Sequence, residues 1–249
     1  QMQGVATTPL VVKALSDACR EYRYGAMRLS EAYADDKTYA AVAGELAEVA
    51  DVAKVDILNW LGAQHAASQI AAIAPYVASQ NDDVASAAIA AASKIGGEQA
   101  LAALITRMTK GEENEVVDAA LIKGFLSFNG SINDEFARVM DVNAHARKIS
   151  KAVLTKRRIA DSASKILVWV DNGGDDSAIP ALTTNAVEKN FDKYCNLFEQ
   201  GRDVSKAIIK AIQNKPAAEQ AKMIQGRMDK AGAKKHLYYP VLAATGAKE

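Results

Sequence analysis

Residues 50–110 carry the same phrase twice, and this repetition limits the chain more than any other feature of its sequence. The first copy, DVAKVDILNWLG over 51–62, leads into AQHAASQIAAIAPYV. The second, DVASAAIAAASKIG over 83–96, leads into GEQALAALITRM. Each copy has an apolar run at helical spacing, a Leu-Gly or Ile-Gly stop, a few polar residues and a second apolar run. Gly62 and Gly96 stand 34 residues apart, whereas Ile70/Ile73 and Leu101/Leu104 stand 31 apart, so the first connecting turn is longer by three. Two helices in a period of about 30–35 residues is the signature of a helical solenoid, whose units bury their apolar faces on one another.

The rest of the chain extends the pattern into eight helical pairs: 7–19 with 20–34, 38–49 with 52–61, 66–78 with 83–95, 99–110 with 114–128, 133–142 with 144–157, 162–170 with 176–186, 190–200 with 203–213, and 217–230 with 233–245. Leu10, Leu15, Met27 and Leu29 are the core candidates of the first pair. Asn or Asp in the SQNDD turn is placed to cap the following helix, and Gly62 and Gly96 are placed to end helices in a left-handed C-terminal cap. Farther on, VLTKRRIADSASKIL aligns over ILNWLGAQHAASQIA, with Arg158 at the position of Gly62 and therefore a different helix stop. Alanine is heavily used and aromatics make up only 6% of the chain. Small side chains let helices approach closely, and alanine has the highest helix propensity. No run of strands and hairpin turns competes, so the expected class is all-α.

Thirty basic and thirty acidic residues cancel. Nucleic-acid binders draw most of their affinity from phosphate neutralisation, so this balance argues against a nucleic-acid partner. No apolar run approaches the roughly 20 residues that a membrane-crossing helix needs. The chain opens on Gln and closes on LAATGAKE, which restarts the phrase seen in WLGAQH and KIGGEQA. A single solenoid over 1–249, forming part of a longer parent chain, is the expectation. Cys19 and Cys195 lie in distant repeats, and a linear array keeps them unbonded.

The steps Leu61-Gly62 and Ile95-Gly96, with the small-residue runs ALAAL at 100–104 and AIPAL at 178–182, resemble HEAT repeats, in particular short bacterial HEAT-like repeats of the lyase-linked type. The resemblance is strongest over 50–128. It implies a right-handed α-α superhelix of about eight pairs, an armadillo-like scaffold with an extended concave surface for protein binding. Such arrays are also similar to helical segments attached to bacterial 3-keto-disaccharide hydrolase-like domains of exported proteins. That similarity implies a periplasmic or envelope setting, with a protein or an adjacent domain of the same parent chain as partner.

No phosphate-binding glycine loop, His-Glu-x-x-His, paired CxxC or GxSxG elbow occurs. His65, His145 and His236 fall in separate repeats without ligand spacing, and each reads as a solvated or capping residue. Asp171–Asp176 (DNGGDD) departs from the calcium-loop pattern at its third, sixth and twelfth positions and reads as an interhelical turn. Lys148, Lys151, Lys156, Arg157 and Arg158 form the densest basic run and are the candidate binding patch for phosphate or an acidic partner. Cations at a helix C-terminus are also favourable through its dipole alone. Trp60 and Trp169 sit in apolar runs and read as packing residues. The expected function is a non-catalytic scaffold, without cofactor or metal. The alternatives are a DNA-repair enzyme of the HEAT-like alkylpurine glycosylase type, or a structural spacer attached to a glycoside-acting hydrolase domain.

Overall fold

In the computed structural model, which describes residues 4–246, the chain is all-helical and no strand occurs among the described residues. The last three residues of the closing LAATGAKE phrase lie outside that range. The chain divides into two compact units, one made of residues up to 132 together with 139–149, the other of 133–138 and 150 onward.

The first unit contains α1 (Gly4–Leu15), α2 (Arg20–Ser30), α3 (Asp36–Gly44), α4 (Asp51–Ala63), α5 (Ile70–Ile73), α6 (Asp82–Ile95), α7 (Gly97–Lys110) and α8 (Glu115–Leu126). Successive even-numbered helices touch: α2 packs on α4, α4 on α6, and α6 on α8. The odd-numbered helices form a second series, with α1 on α3, α3 on α5 and α5 on α7. α6 is flanked on two sides, which is why it reads DDVASAAIAAASKI. Its residues Ala85, Ala88, Ala91 and Ala92 are all at most 1% exposed, and larger side chains there would push the neighbouring helices apart.

Glycines on both neighbours let them approach α6 closely. A Cβ on Gly62 of α4 would lie 2.6 Å from the Cα of Ala91, and one on Gly124 of α8 would lie 2.6 Å from Oγ of Ser93. α6 thus meets a glycine of α4 at Ala91 and a glycine of α8 at Ser93. This corrects the expectation for Gly62. It lies inside the last turn of α4 as a packing glycine, and the left-handed residue is His65, with φ 50°. Gly96 does end α6, with φ 75°, but its ψ of −163° gives an extended positive-φ backbone in place of the left-handed cap expected. His65 and Gly96 are 31 residues apart, so the longer first turn reflects the choice of glycine as marker. The alignment of Arg158 over Gly62 likewise sets Asp161, with φ 60°, over His65. Histidine and aspartate are among the non-glycine residues that best tolerate this conformation.

Asparagines tie the helix starts together. Asn81 accepts hydrogen bonds from the Asp83 and Val84 amides at the start of α6, while its own amide donates to Asp51 at the start of α4 (3.0 Å). Asn114 repeats this two helices later, capping α8 through Val116 and Val117 and donating to Asp82 at the start of α6, at 2.9 Å. Leu15 and Met27 are fully buried, but Leu10 and Leu29 are 59% and 80% exposed, against the core placement expected for them. Both lie on the outward side of the first helical pair, which no later helix covers.

The second unit contains most of α9 (Asn133–Val139) and the later part of α10 (Ala144–Lys156), then α11 (Ser162–Asp171), α12 (Ile179–Thr184), α13 (Phe191–Glu199), α14 (Ser205–Ile212), α15 (Ala217–Ala231) and α16 (Tyr239–Ala243). Buried Asn185 explains how α10 stops without a glycine. Its amide donates to Leu154 O and Ala181 O, and its oxygen accepts from the Ile159 amide and the Ser162 hydroxyl. All four hydrogen-bonding valences of that side chain are used, so a buried polar group carries no desolvation deficit. Trp169 is 2% exposed, and the Tyr238 hydroxyl donates to Glu199 at 2.7 Å.

Candidate functional site

An open groove of about 440 Å³ runs along the first unit between α2, α4 and α6. The 31-residue spacing builds it. α4 contributes Val52, Val55, Asp56 and Asn59, and α6 contributes Asp83, Ser86, Ala87 and Ala90, each 31 residues later in the chain. Each set follows i, i+3, i+4, i+7, the single face of a helix. Val52 at the rim is 66% exposed, whereas Ala87 on the floor is 6% exposed.

α2 closes one end of the groove with two arginines. Arg23 is 2% exposed and Asp56 is 1% exposed. Nε and Nη2 of Arg23 both reach Oδ2 of Asp56, at 3.0 and 2.6 Å. Nη1 donates to the carbonyls of Asp17 and Ala18, in the turn after α1. Arg20, mostly exposed, approaches the other carboxylate oxygen at 3.3 Å and lies over the Tyr24 ring, 5.0 Å from its centroid. The buried pair therefore fixes the α1–α2 turn against α4 and sets the end of the groove. The pair is absent from the candidates expected above, although the sequence carries its signal: Asp56 interrupts the apolar face of AKVDILNWL, and Arg20 and Arg23 share one side of a helix.

Sixty-two residues after Asp56, Asp118 is again a buried carboxylate, and Ala87 stands midway between them in the chain. Asp118 accepts from His145 Nε2 at 2.8 Å and from Lys148 Nζ at 3.0 Å. Burial pushes its carboxyl up, but these two hydrogen bonds and charges outweigh it and hold it below the ordinary aspartate value. His145, expected at the surface, is 7% exposed, because Asp118 supplies a partner inside.

The basic run is divided among other tasks. Lys148, in the first unit, pairs with Asp118 and, at 3.6 Å, with Glu113. In the second unit, Lys151 pairs with Asp175 and Ser177 at 3.0 and 2.8 Å. Lys156 and Arg158 are exposed, and Arg157 is half-buried, its guanidinium pushed down by burial. Lys148 and Lys151 thus already answer carboxylates.

The Asp171–Asp176 turn is held the same way. Asp175 meets Lys151 and Ser177, and Asp176 meets Arg202 at 2.5 Å. The other two histidines serve chain carbonyls, with Nδ1 of His65 on Lys94 O and Nδ1 of His236 on Ala233 O. No group of three or more His, Cys, Asp or Glu able to hold a metal occurs among the described residues. Trp60 is 6% exposed and packs edge-on against Tyr39, with ring centroids 5.6 Å apart. Cys19 is exposed and Cys195 is buried, and both are free thiols. No helix among the described residues is long and apolar enough to cross a membrane.

Compared with known protein families, curated proteins and solved structures, the chain has no significant match.

Proposed function

We propose that this chain is a HEAT-like scaffold, a right-handed α-α superhelix that holds an extended segment of a partner protein, or of an adjacent domain of its parent chain, along the α2–α4–α6 groove. The observation that carries this reading is the repetition of groove-lining positions. Val52, Val55, Asp56 and Asn59 recur 31 residues later as Asp83, Ser86, Ala87 and Ala90. A surface that repeats with each helical pair suits a ligand that also repeats, which an extended polypeptide does at its backbone. The floor of small and apolar groups leaves room for side chains, and Arg20, Asp51 and Asp83 at the rim supply charges that select among sequences.

The rival reading, a glycosylase-type repair enzyme, has one observation in its favour: a carboxylate, Asp56, beside two arginines in the groove. Arg20 and Arg23 occupy both of its oxygens, which suits a structural pair better than a free base.

Display selection of unstructured peptides against the full chain tests the proposal, with Val52→Arg and Ala90→Arg as groove-blocking variants. Selected peptides should bind the wild type and lose at least about tenfold in affinity against both variants, equivalent to about 1.4 kcal/mol. Binding that ignores both substitutions would refute the groove assignment. Release of alkylated bases from duplex DNA that disappears in Asp56→Asn would replace the scaffold reading with the enzymatic one.

A further inference from the structure

The outward side of the first helical pair carries an apolar stripe that the groove above does not use. In α2, Arg23, Met27 and Ser30 face inward and are buried. A second stripe of α2, Tyr22, Ala26 and Leu29, follows i, i+4, i+7, the spacing of a helix–helix seam, and Tyr33 in the turn just after the helix stands beside it. Tyr22 is 59% exposed, Leu29 80% and Tyr33 53%. With Leu10 and Val11 of α1, this stripe borders an open groove of about 540 Å³. Large apolar side chains exposed side by side mark an interaction surface, unlike the scattered ones every protein shows.

Gly25 sits beside the stripe, and a Cβ placed there would meet nothing within 4 Å. A second backbone can therefore come close at this point. Glu21 and Arg28, one heptad apart and both exposed, flank the same side. Arg28 has no carboxylate partner among the described residues. The chain has no net charge, so two copies approach without overall repulsion.

We propose that the chain forms a two-fold homodimer through this face, with α2 of each copy antiparallel to α2 of the other and crossing near Gly25. The charges select this occupant and direction. Antiparallel crossing at Gly25 brings Glu21 of each copy to the level of Arg28 of the other, giving two opposite-charge contacts. A parallel crossing would set Glu21 beside Glu21 and Arg28 beside Arg28. The same crossing opposes Tyr22 to Leu29 and lets Leu29 enter the groove beside Leu10 and Val11. Such an isologous contact closes on itself and leaves no free copy of the patch.

Sedimentation velocity of the full chain from about 1 to 100 μM, the range over which a micromolar dimer assembles, tests this directly. A monomer–dimer equilibrium is expected. Leu29→Arg, at a position 80% exposed and so tolerated by the fold, should raise the dimer dissociation constant by at least about tenfold. Glu21→Arg alone should weaken the dimer, and adding Arg28→Glu should restore it. Gly25→Cys in a Cys19→Ser background should give a disulfide-linked dimer on mild oxidation. A chain that stays monomeric at the top concentration overturns the proposal, whatever else binds this face. So does a dimer indifferent to Leu29→Arg. Failure of the charge exchange to restore association overturns the antiparallel arrangement.

Discussion

Removing one member of the Arg23–Asp56 pair should cost far more than removing both. In Asp56→Leu, Arg23 remains 2% exposed with Nε and Nη2 stripped of their acceptor, and only its contacts to the Asp17 and Ala18 carbonyls survive. Breaking a buried pair from one side typically costs about 3–5 kcal/mol, because an uncompensated charge stays in the interior. Arg23→Met strands Asp56 instead, though Arg20 at 3.3 Å can recover part of the loss, so about 2–4 kcal/mol is expected. The double variant leaves no buried charge and loses only the donors to two chain carbonyls, a cost of about 1–2 kcal/mol. The double variant should therefore be more stable than either single one, a strong departure from additivity. Urea unfolding followed by Trp60 fluorescence, in a Trp169→Phe background, confines the readout to the first unit. Single costs below about 1 kcal/mol, or a double cost equal to their sum, would refute the claim that this pair is buried and coupled.

The glycine geometry makes a sharper comparison. Gly96 and Gly97 both have positive φ, but a Cβ on Gly96 would lie 2.0 Å from Asn129 O while one on Gly97 meets nothing within 4 Å. Gly96→Ala should lower thermal stability clearly more than Gly97→Ala, and equal effects would exclude the contact. Gly62→Val, forced against Ala91, should destabilise by about 1–3 kcal/mol in the same urea assay. Burial pushes the Cys195 thiol up to about 11, so a thiol reagent at neutral pH should label Cys19 within minutes and reach Cys195 only on unfolding. Asp118, held below the ordinary aspartate value, contributes stability that is complete above its unfolded value near pH 4 and lost as pH falls through its lower folded value. Asp118→Asn should therefore flatten the acid limb of the stability–pH profile, with little change in its slope above pH about 5.

The helices and their order were legible because alanine-rich runs with apolar residues at helical spacing leave few alternatives. The glycines were less informative. Gly62 looked like Gly96 because both follow a large apolar residue, yet one glycine serves close packing and the other serves backbone conformation. Only the neighbouring helix distinguishes them, and its position is a tertiary fact. Periodicity places Leu10 and Leu29 inward because it identifies apolar stripes without saying how many faces of a helix are covered. α2 has two stripes, and the sequence does not say which one meets the core. The Lys148–Arg158 run looked like a patch because sequence shows the cations together and hides the carboxylates that answer them. Asp118 and Asp175 come from 24 to 30 residues away. Arg23 and Asp56 were hidden for the opposite reason, since a buried pair leaves only an oddly placed charge in each of two segments.

Asn81 and Asn114 have a consequence for how the first unit opens. Each side chain joins the beginning of its own helix to the beginning of the helix two before it, so neither helix can unwind its first turn without releasing a bond to the other. An array whose members touch only side by side would be expected to fray from its ends, with each member exchanging its amide hydrogens at its own rate. The shared asparagines link the openings of α4, α6 and α8. Amide hydrogens at the starts of these three helices should exchange as one block, and Asn114→Ala should split that block in two, with α8 exchanging apart from α4 and α6.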